Sequence, residues 1–343
     1  MAKQRLDLGK KGAKWEKKHD EELLRVAIEL LDNDPYISFP ALAKEITKQH
    51  DIVFPKGGKP RGERGIAYRL HKLPLSETRV EIAFRRKDFF IKPWIGEKYD
   101  EGFLERRSKE PIKILIIGAS RYCKLCLDST LYLKTKRCKK ICGDDACDYD
   151  KLNDLQCTFL KEKGRSGTGN LQYMNRVVID EVSRLPDEES EYRTYKNFHL
   201  TAKNWFELPK GTDIWNKVAF INYYQPIVTS GIRTPYYSKE RYRSSKQAVD
   251  KIIELLSPDI IFLWYSDHLG NKQELFDTYT EKENYGCIER ASISIKSKRI
   301  VMIVMKHPAS KESNNKNADD NIPKEVFETA WAYLREYIDN TTR

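Results

Sequence analysis

Four short apolar runs constrain the fold more than any other feature of this chain. They are KILIIG (Lys113 to Gly118), KVAFIN (Lys217 to Asn222), PDIIFLWY (Pro258 to Tyr265) and RIVMIVMK (Arg299 to Lys306). Each is rich in branched or aromatic side chains, is only strand-length, and stops at small or polar residues. Runs without polar alternation are the mark of strands buried on both faces, as in a parallel sheet covered by helices. Helical patterns between them, at about 170–185, 245–256 and from Pro323 onward, complete an alternation that predicts an α/β fold. The expected form is a three-layer α/β/α sandwich with a central mostly parallel sheet, occupying residues 112–343. Ligands of such sheets bind in the crevice at the carboxyl ends of the strands. Ser120, Arg121, Tyr122, Asn222, Tyr223, Tyr224, His307 and Ser310 are therefore expected to converge on one pocket.

The N-terminal third has a different rhythm. Residues 1–18 are rich in Lys and Gly and predict a disordered basic tail. Residues 19–78 hold three helical patterns: EELLRVAIELLDND (Glu21 to Asp34), SFPALAKEITKQH (Ser38 to His50) and RGERGIAYRLHKL (Arg61 to Leu73). In the third, Ile66, Tyr68, Leu70 and Leu73 are expected inward and Arg61, Arg64, Arg69 and Lys72 outward. A small helical domain with a basic last helix fits a helix-turn-helix or winged-helix-like module, in which Arg61, Arg64 and Arg69 would contact DNA. A solvated basic face is the alternative. Residues 79–111 read as a connector.

A net charge of +11 favours polyanionic partners, nucleic acid first. No run of 18 apolar residues exists, so no membrane partner is expected. The first twenty residues place no apolar segment behind their basic ones, unlike a secretory signal. A cytoplasmic location is expected, and with it reduced or metal-bound cysteines. Cys123-x2-Cys126 and Cys138-x3-Cys142 are two close pairs that suit a structural zinc ion, with unliganded thiols as the alternative.

Taken in order, the strand ends resemble the motifs of the uracil-DNA glycosylase superfamily. The likeness rests on Gly118-Ala119-Ser120-Arg121-Tyr122 after the first run and Asn222 ending the second. It continues through Phe262-Leu263-Trp264 in the third and His307-Pro308-Ala309-Ser310 after the last. It extends from Lys113 to the C-terminus. It implies a DNA glycosylase that flips a pyrimidine, hydrolyses its N-glycosidic bond and leaves an abasic site, with no cofactor required for the chemistry. Carried over residue by residue, Asn222 reads the base edge and His307 stabilises the anion that develops on the departing base. Tyr122 borders the C5 edge of the pyrimidine, Phe159 stacks on the base, and Ala119 lies against it. Ser310 would contact DNA. Apart from the resemblance, the mixed cationic and aromatic run RTPYYSKERYRSS (Arg233 to Ser245) suits a nucleic-acid strand or a bulky base substituent, with Arg241 as a DNA contact, or a solvated loop with a few packed tyrosines.

Two departures accompany the likeness. Ser120 stands where well-studied members have Asp or Asn, and a hydroxyl is no carboxylate base at neutral pH. Ser120 would hold the attacking water by hydrogen bonding alone. The loop after Ser310, KESNNKNADDN, is polar where members often carry an apolar wedge. Some branches bind an iron–sulfur cluster, but their cysteines are spaced more widely than these, so zinc fits better. The departures suggest a divergent branch acting on uracil or on a bulky modified cytosine, such as glucosylated hydroxymethylcytosine in phage DNA, which would be an antiviral defence. The rival readings are a non-enzymatic DNA-binding protein that keeps the fold and an unrelated α/β enzyme acting on nucleotides.

Overall fold

The computed structural model describes residues 4–7, 17–53, 62–89, 92–103, 112–119, 121–122, 198, 214–224, 227–228, 239–265, 271–285, 288–296, 298–306, 329–330 and 332. The chain divides into two compact units, Met1–Arg86 and Lys87–Arg343.

The first unit comprises β1 (Gln4–Asp7), α1 (Lys17–Leu31), α2 (Phe39–Gln49), β2 (His50–Val53), α3 (Glu63–Leu70) and α4 (Leu75–Arg85). Its helices are amphipathic at the expected spacing. Leu23, Val26, Ala27 and Leu31 of α1 meet Leu42, Ala43 and Ile46 of α2, Ile66 and Leu70 of α3, and Ile82 of α4 in one apolar core. Burying each Leu or Ile fully contributes about 1.5–3 kcal/mol. Ser38 starts α2, its hydroxyl accepting from the Ala41 N–H at 3.4 Å.

Three features of this unit differ from expectation. Gln4–Asp7, within the segment expected to be a disordered tail, pairs in parallel with His50–Val53. The supposed connector begins with a helix: α4 runs to Arg85 and buries Val80, Ile82 and Ala83. Arg79 is buried there, its guanidinium donating to the Ile37 carbonyl and lying 4.6 Å from the Phe39 ring centre. On α3, Tyr68 faces outward at 50% exposure. Arg69 instead turns toward α1, with its Nε donating to Asp20 Oδ1 at 2.5 Å and its Nη2 to Oδ2. Helical geometry explains the exchange. At 100° per residue, position 69 falls beside Ile66 and Leu70, whereas position 68 falls on the opposite side.

The second unit is built on a seven-stranded sheet in the order β3-β6-β4-β8-β11-β10-β9. Its strands are β3 (Trp94–Ile95), β4 (Ile114–Gly118), β6 (Val218–Asn222), β8 (Ile260–Tyr265), β9 (Thr280–Tyr285), β10 (Ile288–Ile295) and β11 (Lys298–Lys306). The four apolar runs are β4, β6, β8 and β11, and they are mutually parallel neighbours. The sheet as a whole is mixed rather than mostly parallel. β3 pairs antiparallel with β6, and β10 pairs antiparallel with both β11 and β9. The short turn at Lys296, whose φ is 55°, joins β10 to β11 as a hairpin, which forces the antiparallel direction. Among the described residues, α5 (Lys239–Leu256) comes after β6 and the short α6 (Lys272–Leu275) after β8.

Alternation assigns the two faces of the sheet. Ile114, Ile116, Val218, Phe220, Ile260, Phe262, Trp264, Ile303 and Met305 share one core with Phe103, Phe198 and Trp215. Leu115, Ile117, Ala219, Ile221, Ile261 and Leu263, on the other face, are also fully buried. Both faces are therefore covered, as the unbroken apolar runs require.

The amino ends of the parallel strands are held by a polar cluster. Lys113, one residue before β4, places its ammonium 2.6 Å from Asp100 Oδ1, with both side chains over nine-tenths buried. The backbone N–H of Lys113 donates to Asp259 Oδ2 at 2.8 Å, and Lys298 at the start of β11 lies 2.8 Å from Asp259 Oδ1. Tyr99 donates its hydroxyl to the Leu256 carbonyl at the end of α5, at 3.3 Å. Burial pushes the Tyr99 pKa well up, assisted by the nearby Asp100 and Asp259 charges.

Candidate functional site

The carboxyl ends of β4 and β6 lie side by side because their register pairs Gly118 with Asn222. The two chains stay together beyond the sheet. Tyr223 N–H donates to the Gly118 carbonyl at 2.7 Å and Tyr224 N–H to the Ala119 carbonyl at 3.0 Å. A second short parallel pair follows, β5 (Arg121–Tyr122) with β7 (Ile227–Val228), matching Tyr122 with Val228. The first two sequence motifs are thus clamped into one corner of the fold.

Asn222 is the chemical centre of that corner. It is 6% exposed and is among the few buried polar side chains described. As a register partner of Gly118 it lies on the same face as Phe220, whose ring closes the space below it. A Cβ added to Gly118 would meet Asn222 Oδ1 at 2.6 Å and Phe220 Cζ at 3.1 Å. The carboxamide therefore lies across the end of β4, in space that exists only because residue 118 has no side chain. A strand-interior apolar residue at 118 would push the amide out. Gly118 is the positioning residue that the sequence motif contained without revealing its role. Its signal was a glycine ending an otherwise apolar strand.

An amide in this setting can donate and accept along one edge, matching a partner that offers an acceptor and a donor together. Its neighbours are structural. Tyr223 points to the opposite face, as the next residue along must. Its hydroxyl donates to the Leu275 carbonyl at 2.8 Å and its ring packs edge-on against Phe276, with centroids 5.8 Å apart. Tyr223 is thereby turned away from Asn222, toward Leu275 and Phe276. Tyr224 is 3% exposed. Ala119 is buried beside Gly118.

The remaining expected residues divide cleanly. Tyr122 and Arg241 have described backbones, in β5 and α5, while their side chains lie outside the described residues. Ser120, Phe159, His307, Ser310, Arg61 and the cysteines Cys123, Cys126, Cys138 and Cys142 lie outside the described residues altogether. Among the described residues no group of His, Cys, Asp and Glu is arranged to hold a metal ion, and no helix is long and apolar enough to cross a membrane. In the first unit Arg64 is exposed on α3. Arg69 is held by Asp20, and that hydrogen bond raises its pKa. The Nε and Nη2 edge of this guanidinium is thus taken up by a carboxylate of α1.

No protein-family model, curated protein or solved structure matches the chain.

Proposed function

We propose that this protein is a DNA glycosylase whose base-reading group is Asn222. The observation that carries the reading is the placement of that one buried amide. It ends a central parallel strand, lies over a glycine that makes room for it, and is tied to the segment that continues into Ser120 and Tyr122. The carboxyl end of parallel strands is where such sheets take ligands. A donor–acceptor amide suits the edge of a pyrimidine.

In this reading the sheet and its covering helices form a three-layer α/β/α sandwich, and the N-terminal unit is a DNA-binding helical domain. DNA enters with the target nucleotide extruded, since the glycosidic carbon cannot be engaged inside a stacked duplex. Asn222 holds the base edge, Tyr122 and Ala119 bound the base, and Phe159 stacks on it. Cleavage of the N-glycosidic bond moves its electron pair onto the base and leaves an oxocarbenium-like sugar. His307, donating to the base oxygen, stabilises the charge mainly in the transition state. Ser120 positions the water that adds to the sugar. The substrate is uracil or a bulky modified cytosine of phage DNA.

The test is incubation of the full chain with uracil-containing DNA and with hypermodified phage DNA, followed by alkali. Strand cleavage at the target base is expected with one of these substrates. Intact strands with both would remove the glycosylase reading.

A further inference from the structure

One surface of the first unit is unexplained by its own fold. On α3 the positions opposite the Ile66–Leu70 core stripe are Arg64 and Tyr68, four apart, and Lys72 in the turn just after the helix extends this surface beside Tyr68. Tyr68 is 50% exposed, the one large hydrophobic side chain exposed among the described residues. The Lys72 ammonium lies 4.4 Å from its ring centre, which holds a cation and an aromatic together at the surface. Arg64 is exposed. The acidic residue of this helix, Glu63, is directed instead toward Thr47 of α2.

Gly65 lies beside this ridge and is the more telling residue. Its φ is not positive, and a Cβ added there would meet nothing within 4 Å. Alanine would therefore fit and would stabilise the helix. A glycine in the first turn of a helix, with open space around it and no steric demand from within, suits a body that approaches from outside. The ridge it borders is cationic and aromatic, so the fitting body is anionic with flat apolar surfaces.

We propose that the ridge Arg64–Tyr68–Lys72, with Gly65 as the point of closest approach, docks duplex DNA. Arg64 and Lys72 contact phosphates, Tyr68 contacts a sugar or base, and Gly65 lets the nucleic-acid backbone reach the helix. The proposal shares the DNA partner of the glycosylase reading and is independent of base excision. Base release from a saturating single-stranded oligonucleotide reports the strand-end site by itself, so the two can fail separately.

The experiment measures binding of the full chain to a short fluorescein-labelled duplex by anisotropy, with melting temperature recorded for each variant. Tyr68→Ala is expected to weaken binding about tenfold with an unchanged melting temperature. Gly65→Ala is expected to raise the melting temperature while weakening binding, a pair of opposite signs that a purely structural glycine would not give. Lys72→Ala should lower the slope of log affinity against log salt by about one. Arg25→Ala, on the α1 surface between Glu22 and Glu29, should leave binding unchanged. Duplex affinities of Tyr68→Ala and Gly65→Ala equal to that of the unaltered chain would overturn the proposal. So would losses confined to a single-stranded probe.

Discussion

The two ends of the central strands both bury polar groups, yet they bury them for different purposes. At the amino end, Lys113, Asp100, Asp259, Lys298 and Tyr99 engage one another or nearby backbone, tying β4, β8, β11 and α5 together. At the carboxyl end, Asn222 occupies the space left by Gly118, beside the Phe220 ring. On the proposed reading, the paired charges hold the fold and the amide set over a glycine is the recognition group. Substitutions at the first end should therefore act on stability, and substitutions at the second should act on activity beyond their effect on stability.

The largest expected effect tests the amino end. Asp100→Ala leaves the Lys113 ammonium buried without its carboxylate, which costs about 3–5 kcal/mol. Urea denaturation should show this loss, while base excision per folded molecule stays unchanged. A fall in excision at full folding would erase the distinction between the two ends.

Gly118→Ala tests the carboxyl end at one remove. The added Cβ must displace the Asn222 amide or the Phe220 ring, at a cost of about 1–3 kcal/mol. Displacing a recognition group by about an ångström is expected to slow excision about a hundredfold. Equal excision rates for the variant and the unaltered chain would show that the amide does not need this seat.

The smallest effect lies on α5, away from either cluster. Burial pushes the Asp250 carboxyl up to about 6, with Lys246 opposing and Asp277 assisting. The folded state thus holds this proton more tightly than the unfolded chain does at about 3.9. The stabilisation is fully present below that value and is lost as pH rises through about 6. Asp250→Asn should melt increasingly above the unaltered chain as pH is raised from 4 to 7. A difference that does not change with pH would contradict this.

Legibility in the sequence followed physical redundancy. β4, β6, β8 and β11 were readable because burial on both faces demands unbroken apolar runs. β9 (TEKENY), the last strand in the order among the described residues, was not, because its sequence carries no apolar run and an end strand tolerates charge. β3 escaped because two residues carry no period. On α3 the residue types misled: a tyrosine reads as core and an arginine as surface. The partner that reverses this, Asp20, is 49 positions away from Arg69. At the site, Asn222 was legible as a polar strand end. Tyr223 faces away from Asn222, which sequence order alone does not show. The seat provided by Gly118 needed the β4–β6 register, which no local pattern contains.

The most direct measurement is base release by Asn222→Ala beside the unaltered chain, with duplex affinity and melting temperature taken on the same samples. Removal of the reading amide is expected to cut excision of the target base about a hundred- to a thousandfold while DNA affinity is retained. Excision at the unaltered rate would contradict the assignment of Asn222, and with it the central claim that the carboxyl end of these strands is where the base is read.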